Sequence, residues 1–305
     1  MGNRRNFIKA GLLGGALAAS GLPGFARAKS FVVNSKPLDI LVLGGTGFIG
    51  PHMVREALRR GHAVTLFNRG RTNVALFPDL ETIKGDRDNG LDGLKGRQWD
   101  AVIDNSGYVP RHVADSARLL SPNVGFYLYI STIAVYADFT VSNDEDSALA
   151  TIDDESIEEV TGETYGPLKA LCEKRVGSEI ASDRLSIVRP TFICGPGDHT
   201  DRFTYYPART KKGGTMAWPG SPQHEMQVVD VRDLASFVVD SVVDGISGTF
   251  NAVSPPGTYN FGDLLDDSQA VTGAAVESVW LDDAFIAANE ARGSFPIYFP
   301  AHGLE

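Results

Sequence analysis

The chain has 305 residues, 43% of them hydrophobic and 22% charged, which suits a soluble-type globular fold with room for one extended α/β core. Its formal net charge of −10 repels phosphate backbones and disfavours nucleic acid as a partner. No apolar run reaches the ~18 residues of a membrane span, and the two cysteines, Cys172 and Cys194, lack metal-ligand spacing or a disulfide framework, so they read as small buried apolar residues and no metal site is expected.

The first 28 residues are MGNRRNFIKAGLLGGALAASGLPGFARA. Within them, Asn3-Arg4-Arg5-Asn6-Phe7-Ile8-Lys9 resembles the twin-arginine export motif. A weakly apolar stretch from Ala10 to Leu22 follows, then Pro23 and the small-x-small site Ala26-Arg27-Ala28. This order predicts a signal peptide over 1–28, the twin-arginine translocase as partner, and a periplasmic or otherwise exported mature protein with no stable membrane span. Cleavage after Ala28 would remove Arg4, Arg5, Lys9 and Arg27 and no acidic residue, leaving the remainder more acidic still. Residues 29–37 read as a linker.

Asp39 to Leu43 is a short apolar run ending in glycines, the pattern of a buried parallel strand. Pro51 to Arg60 carries Met53, Val54, Ala57 and Leu58 at helical spacing, and Gly61 stops it. Further strands are predicted at 63–67, 80–84, 101–104, 125–131 and 185–189, and helices at 112–120 and 165–181. Residues 139–163 are acidic and poor in large apolar groups, so they read as an exposed excursion. Glycine and proline thicken after 190, and a helix over 231–243 and a strand over 248–253 return. The alternation predicts an α/β fold, a Rossmann-type doubly wound parallel sheet with a smaller, loop-rich C-terminal part. The dinucleotide-binding domain is placed at 38–190 with 227–253 returning to it. The substrate-binding part takes 191–226 and 254–305.

Gly44-Gly45-Thr46-Gly47-Phe48-Ile49-Gly50 follows the first strand and opens the first helix. Glycines at 44, 47 and 50 allow a tight turn and close backbone approach to a pyrophosphate, which sits against the free N–H groups of the helix. The segment predicts NAD or NADP. An acidic residue at the end of the second strand would accept from the ribose 2′-hydroxyl of NAD. Here that strand ends Phe67-Asn68-Arg69-Gly70-Arg71; Arg69 and Arg71 suit a 2′-phosphate, which favours NADP. Asp86 is placed to meet the adenine edge, with a plain turn aspartate as the competing reading.

Tyr165-Gly166-Pro167-Leu168-Lys169 puts Tyr and Lys four apart on one helical face. A nearby ammonium and an oxidised nicotinamide lower a phenol from its ordinary value near ~10 and make it a general acid/base. The fifth strand ends Ser131-Thr132-Ile133-Ala134-Val135-Tyr136, where a hydroxyl can hold the reacting oxygen of a substrate. Together with the glycine loop, these residues resemble the short-chain dehydrogenase/reductase superfamily, in its NAD(P)-dependent epimerase/dehydratase branch, from about Leu38 to Val253. The resemblance implies that Thr132 positions substrate, with Ser131 the alternative if the register shifts by one. It implies that Tyr165 is the general acid/base and that Lys169 binds the nicotinamide ribose and tunes Tyr165. It also implies a homodimer through the helix bearing Tyr165. Arg189-Pro190-Thr191 with Gly195-Pro196-Gly197-Asp198 looks like the branch's loop after the sixth strand, and Val229 to Ala235 like its returning helix.

Some positions depart from the branch. The doubled Gly44-Gly45 is closest to an atypical subgroup. Asp104-Asn105-Ser106-Gly107 stands where a His-x-Ala-Ala segment is usual. Ile133-Ala134 stands where sugar 4,6-dehydratases carry Asp-Glu, which disfavours that activity. Relatives commonly continue beyond the position of Glu305, so the C-terminus reads as short. Arg202-Phe203-Thr204-Tyr205-Tyr206 suits a sugar or sugar phosphate, and Asp198, Arg202 and Tyr205 join Ser131 as substrate candidates. The first functional reading is transient hydride transfer at a carbinol carbon of a sugar or nucleotide-sugar-like small molecule. The cofactor is tightly bound, because an exported enzyme has to carry its dinucleotide and regenerate it in each turnover. The second is a net oxidoreductase with a dissociating cofactor. The third is a non-catalytic dinucleotide-sensing or RNA-binding module.

Overall fold

The computed structural model describes residues 36–299. The predicted signal peptide, most of the linker and the last residues of the chain lie outside them. In chain order the elements are β1 (Asp39–Leu43), α1 (Gly50–Arg59), β2 (Ala63–Asn68), β3 (Thr82–Lys84), β4 (Trp99–Asp104), α2 (Pro110–Leu120), β5 (Val124–Ile130), α3 (Tyr165–Glu179) and β6 (Leu185–Pro190). Then follow β7 (Phe192–Cys194), α4 (Tyr205–Thr210), β8 (Thr215–Pro219), β9 (Val228–Asp230), α5 (Val231–Asp244), β10 (Gly248–Ala252), α6 (Phe261–Thr272), β11 (Glu277–Leu281) and α7 (Asp283–Ala288).

The central sheet has the order β10-β6-β5-β4-β1-β2-β3, with parallel pairing throughout. The order reverses at β1, whose neighbours are β2 on one side and β4 on the other. In such sheets ligands bind beyond the carboxyl ends of the strands at that reversal. The register aligns those ends: Leu43 lies opposite both Phe67 and Asp104. The glycine loop, Asn68 and Asn105 therefore emerge along one edge.

The strands are apolar on both faces because each face has its own helical layer. Ile40 and Val42 join Met53, Val54 and Ala57 of α1 and Leu234, Val238 and Val239 of α5. Leu41 and Leu43 turn the other way, toward Val113 and Ala117 of α2 and Cys172 and Val176 of α3. Both cysteines are free and buried. A third core, with Tyr206, Met216, Trp218, Phe261 and Tyr298, holds the C-terminal elements together. There β8 pairs with β11, and β7 with β9. These strands, with α4, α6 and α7, add order to a region whose glycines and prolines suggest loops. After a 3-10 turn at Ile133–Val135, the acidic excursion over residues 139–163 contains no helix or strand and is joined to the preceding turn by the isolated bridge Tyr136–Leu149.

Candidate active site

The glycine loop is built for close approach. Gly44 has φ +89, and a Cβ on Gly50 would lie 2.7 Å from Gly45 Cα. Two amides hold the loop carbonyls: Asn73 Nδ2 donates to Thr46 O at 3.0 Å, and Asn105 Nδ2 to Gly44 O at 3.2 Å. No side chain caps the N-terminus of α1, and a Cβ on Gly47 would meet nothing within 4 Å. An uncapped helix end beside open space fits a pyrophosphate. Gly44 to Gly50 would hold it, with Thr46 buried in the loop and Phe48 and Ile49 on the cavity beside it.

At the adenosine end, Asn68 Oδ1 accepts from Gly70 N at 2.9 Å and shapes the turn after β2. Arg69 and Arg71 are exposed. Asp86 is half-buried and accepts from Asp88 N at 3.1 Å, so it serves a turn whatever else it meets.

Thr132, Tyr165 and Lys169 line one cavity of about 740 Å³. Thr132 follows β5, and its Oγ1 accepts from Ala134 N at 3.2 Å, turning the chain. Gly166 lets α3 start against the Ala134 carbonyl, where a Cβ would collide. That approach brings Tyr165 and Thr132 onto the same cavity wall. Burial holds the Tyr165 phenol above its ordinary value, and the Thr132 hydroxyl acts in the opposite direction.

Lys169 is only 3% exposed. Its Nζ donates to Tyr129 Oη at 2.6 Å, Gly107 O at 2.7 Å and Ile130 O at 2.7 Å. An ammonium has three donors, so all are engaged by the protein; a ribose hydroxyl would share or displace one. Burial pushes the ammonium down to about 8. The Tyr165 phenol stands raised because desolvation dominates, and the Lys169 Nζ is directed at two carbonyls and Tyr129.

Two buried ion pairs brace this arrangement. Arg87 grips Asp104 bidentately at 2.5 and 2.8 Å, and Asp104 also accepts from Tyr127 Oη at 2.8 Å. Arg87 further donates to Ser116 Oγ on α2. Arg189 at the end of β6 grips Glu173 of α3 at 3.0 and 2.7 Å. It also reaches Tyr136 Oη, which donates to Asn251 Oδ1. The helix carrying Tyr165 and Lys169 is thereby tied to the sheet.

Of the substrate candidates, Ser131 and Arg202 line the cavity, and the Ser131 hydroxyl is buried without a partner. Asp198 and Tyr205 do not line it. Asp198 Oδ1 closes its own turn through Thr200, and Tyr205 packs edge-on against Tyr206 in the third core. Sequence reasoning missed Asn105, whose buried Oδ1 has no partner. It also missed Tyr108, whose ring lies 6.4 Å from Tyr165 and 5.3 Å from Lys169 Nζ. The signal for Tyr108 was its place just after β4, beside the unusual Asn105-Ser106-Gly107. Among the described residues no His/Cys/Asp/Glu group could hold a metal ion, and no helix is long and apolar enough to cross a membrane.

A parallel sheet reversing at β1, a glycine loop at that reversal and Thr132, Tyr165 and Lys169 on the adjoining cavity give the chain a dinucleotide-binding fold. Residues 40–251 match the NAD dependent epimerase/dehydratase family, and the chain belongs to it. It is 29% identical over 224 residues to the chloroplast stem-loop binding protein of 41 kDa b of Arabidopsis thaliana, covering 68% of this chain and 55% of that protein. It is 28% identical over 185 residues to a 2-alkyl-3-oxoalkanoate reductase of Stenotrophomonas maltophilia, covering 53% and 52%. The chain thus spans about half the length of these relatives. Among solved structures, the Bordetella bronchiseptica enzyme WbmG in complex with NAD and UDP has a similar fold. The TM-score is 0.63 at 18% identity, over 87% of this chain and 91% of that one.

Proposed function

We propose that the protein performs transient hydride transfer at a carbinol carbon of a sugar-like substrate and ends each turnover with its cofactor regenerated. The observation that carries this is the convergence of Thr132, Tyr165 and Lys169 on one cavity with Phe48 and Ile49 of the glycine loop. When bound, the nicotinamide supplies the hydride acceptor. Thr132 holds the substrate oxygen. Tyr165 takes the hydroxyl proton as the carbinol hydride leaves, and returns it when the carbonyl is reduced. Lys169 holds Gly107, Tyr129 and Ile130 in place and keeps positive charge near the reacting oxygen. General acid/base groups of this kind contribute roughly 10²–10⁴-fold. Tyr165→Phe is therefore expected to lose turnover by that factor while retaining cofactor, and full turnover in the variant would end this reading.

The exposed Arg69 and Arg71 support NADP over NAD. The Asn3-to-Lys9 motif supports export through the twin-arginine route, and with it a tightly held cofactor; a homodimer through α3 belongs to the same proposal. Mass spectrometry of the exported protein under non-denaturing conditions would report signal cleavage, retained cofactor and its phosphate count together. The identity to a relative named as a reductase favours a second reading, net oxidoreduction with a dissociating cofactor. Cofactor that survives gel filtration supports the first reading, and an empty site with free exchange supports the second. The relative named for stem-loop binding raises the RNA-binding reading; the acidic balance of this chain stands against it.

A further inference from the structure

The cavity wall is poor in charge. Among the described residues, three charged side chains line it: Lys169, Arg202 and Glu225. Lys169 is engaged by its three protein acceptors. Arg202 lies over the Phe192 ring, 5.3 Å from its centroid, and donates through Nε to Thr200 Oγ1 at 2.8 Å. Glu225 brings negative charge, and its carboxylate accepts from Gly257 N at 3.0 Å.

Much of the remaining wall is apolar, and part of it is open to water. Phe139, Val141 and Phe299 line the cavity and are 46%, 58% and 49% exposed. Phe139 and Val141 belong to the irregular excursion between β5 and α3, and Phe299 ends the described chain. The sheet and its two helical layers do not need these residues. Exposed large apolar side chains gathered on one cavity mark a ligand contact.

A nucleoside diphosphate carries negative charge on each phosphate. Taken out of water, it calls for ammonium or bidentate guanidinium partners, or for a row of free backbone N–H groups such as the glycine loop offers. One tethered guanidinium, sharing the wall with a carboxylate, is a poor match for it. We infer that the substrate is a sugar-like ring joined to an apolar group, an alkyl or aryl glycoside in chemical class, and not a nucleoside-diphosphate sugar. The ring carbinol meets Thr132 and Tyr165, and the apolar group lies against Phe139, Val141 and Phe299. This rests on the hydride-transfer reading of the same cavity.

The test is calorimetric titration of the purified holoenzyme with methyl β-glucoside, octyl β-glucoside below its micelle-forming concentration, and UDP-glucose. Each buried methylene contributes about fourfold in affinity, so octyl β-glucoside is expected to bind at least tenfold tighter than methyl β-glucoside. UDP-glucose is expected to bind no tighter than methyl β-glucoside. Val141→Asp, at an exposed position, is expected to bring the octyl-to-methyl ratio toward one. The inference is overturned if UDP-glucose binds tighter than methyl β-glucoside, or if the octyl and methyl glucosides bind equally. Calorimetry reads binding without turnover, whereas failure of the hydride-transfer reading shows as full turnover in Tyr165→Phe.

Discussion

Lys169→Met removes a charge that folding has to bury. Burial pushes this ammonium from 10.5 down to about 8. Between those values the unfolded chain binds the proton and the folded chain does not, so stability climbs as pH rises through the window. Below it, at ~1.4 kcal/mol per pH unit, the charged ammonium costs folding on the order of 3 kcal/mol. Methionine is unbranched and suits a helix. It leaves Ile130 O without its Nζ donor, while Gly107 O keeps the Tyr129 hydroxyl at 2.8 Å. An orphaned buried acceptor costs about 1–3 kcal/mol, so the variant should lie within about 2 kcal/mol of the parent at neutral pH. The pH dependence is more discriminating. In urea unfolding at pH 7 and pH 10, the parent should gain about 2–3 kcal/mol that the variant does not. Other titrating groups are common to both proteins and cancel in the difference. Parallel pH dependence in parent and variant would refute the assignment of a desolvated charge to Lys169.

Gly50→Ala would place a Cβ 2.7 Å from Gly45 Cα; it should cost about 1–3 kcal/mol in thermal unfolding and abolish retention of the dinucleotide on gel filtration. The double variant Arg69→Ala/Arg71→Ala should weaken NADPH at least tenfold, about 1.4 kcal/mol, and leave NADH within a factor of two in fluorescence titration. An equal effect on both cofactors would count against a 2′-phosphate site. Glu173→Gln breaks an ion pair whose side chains are both 5% exposed. A stranded guanidinium costs about 3–5 kcal/mol, so the melting temperature should fall by roughly 10 °C, and an unchanged melting curve would show that the pair is not buried in solution.

The dinucleotide-binding sheet was legible because strands covered on both faces leave unbroken apolar runs. Ile40 to Leu43 is such a run, and Val64 to Phe67 is broken only by the buried Thr65; each ends in the glycine or asparagine that makes the next turn. The spacing of Thr132, Tyr165 and Lys169 was legible for a similar local reason: a strand end and one turn of helix. The partners of Lys169 were not. Tyr129 sits inside an aromatic strand and reads as core, and Gly107 reads as loop; only the parallel register brings both to the ammonium. Asp104 looked like a departure from a family pattern, and its role is to hold Arg87. In the C-terminal part, β8 alternates between exposed and buried residues over a short span and finds its partner in β11, 62 residues away. No local pattern carries that pairing. Asp198 and Tyr205 have the chemistry of substrate ligands, but a turn bond and a neighbouring ring take them elsewhere.

Gly107 joins two networks. Its carbonyl receives Lys169 and Tyr129. A Cβ at Gly107 would press on Val113 at 2.6 Å, on Tyr129 at 2.7 Å and on Arg87 at 3.3 Å. Behind it, Arg87 leads through Asp104 and Ser116 to the buried side of α2. In a saturation scan scored by activity, Arg87 and Ser116 would therefore rank beside the cavity residues although neither lines it. The map of intolerant positions would run as a file from α2 to the reacting centre, so a surveyor reading that map alone would draw the active site larger than it is.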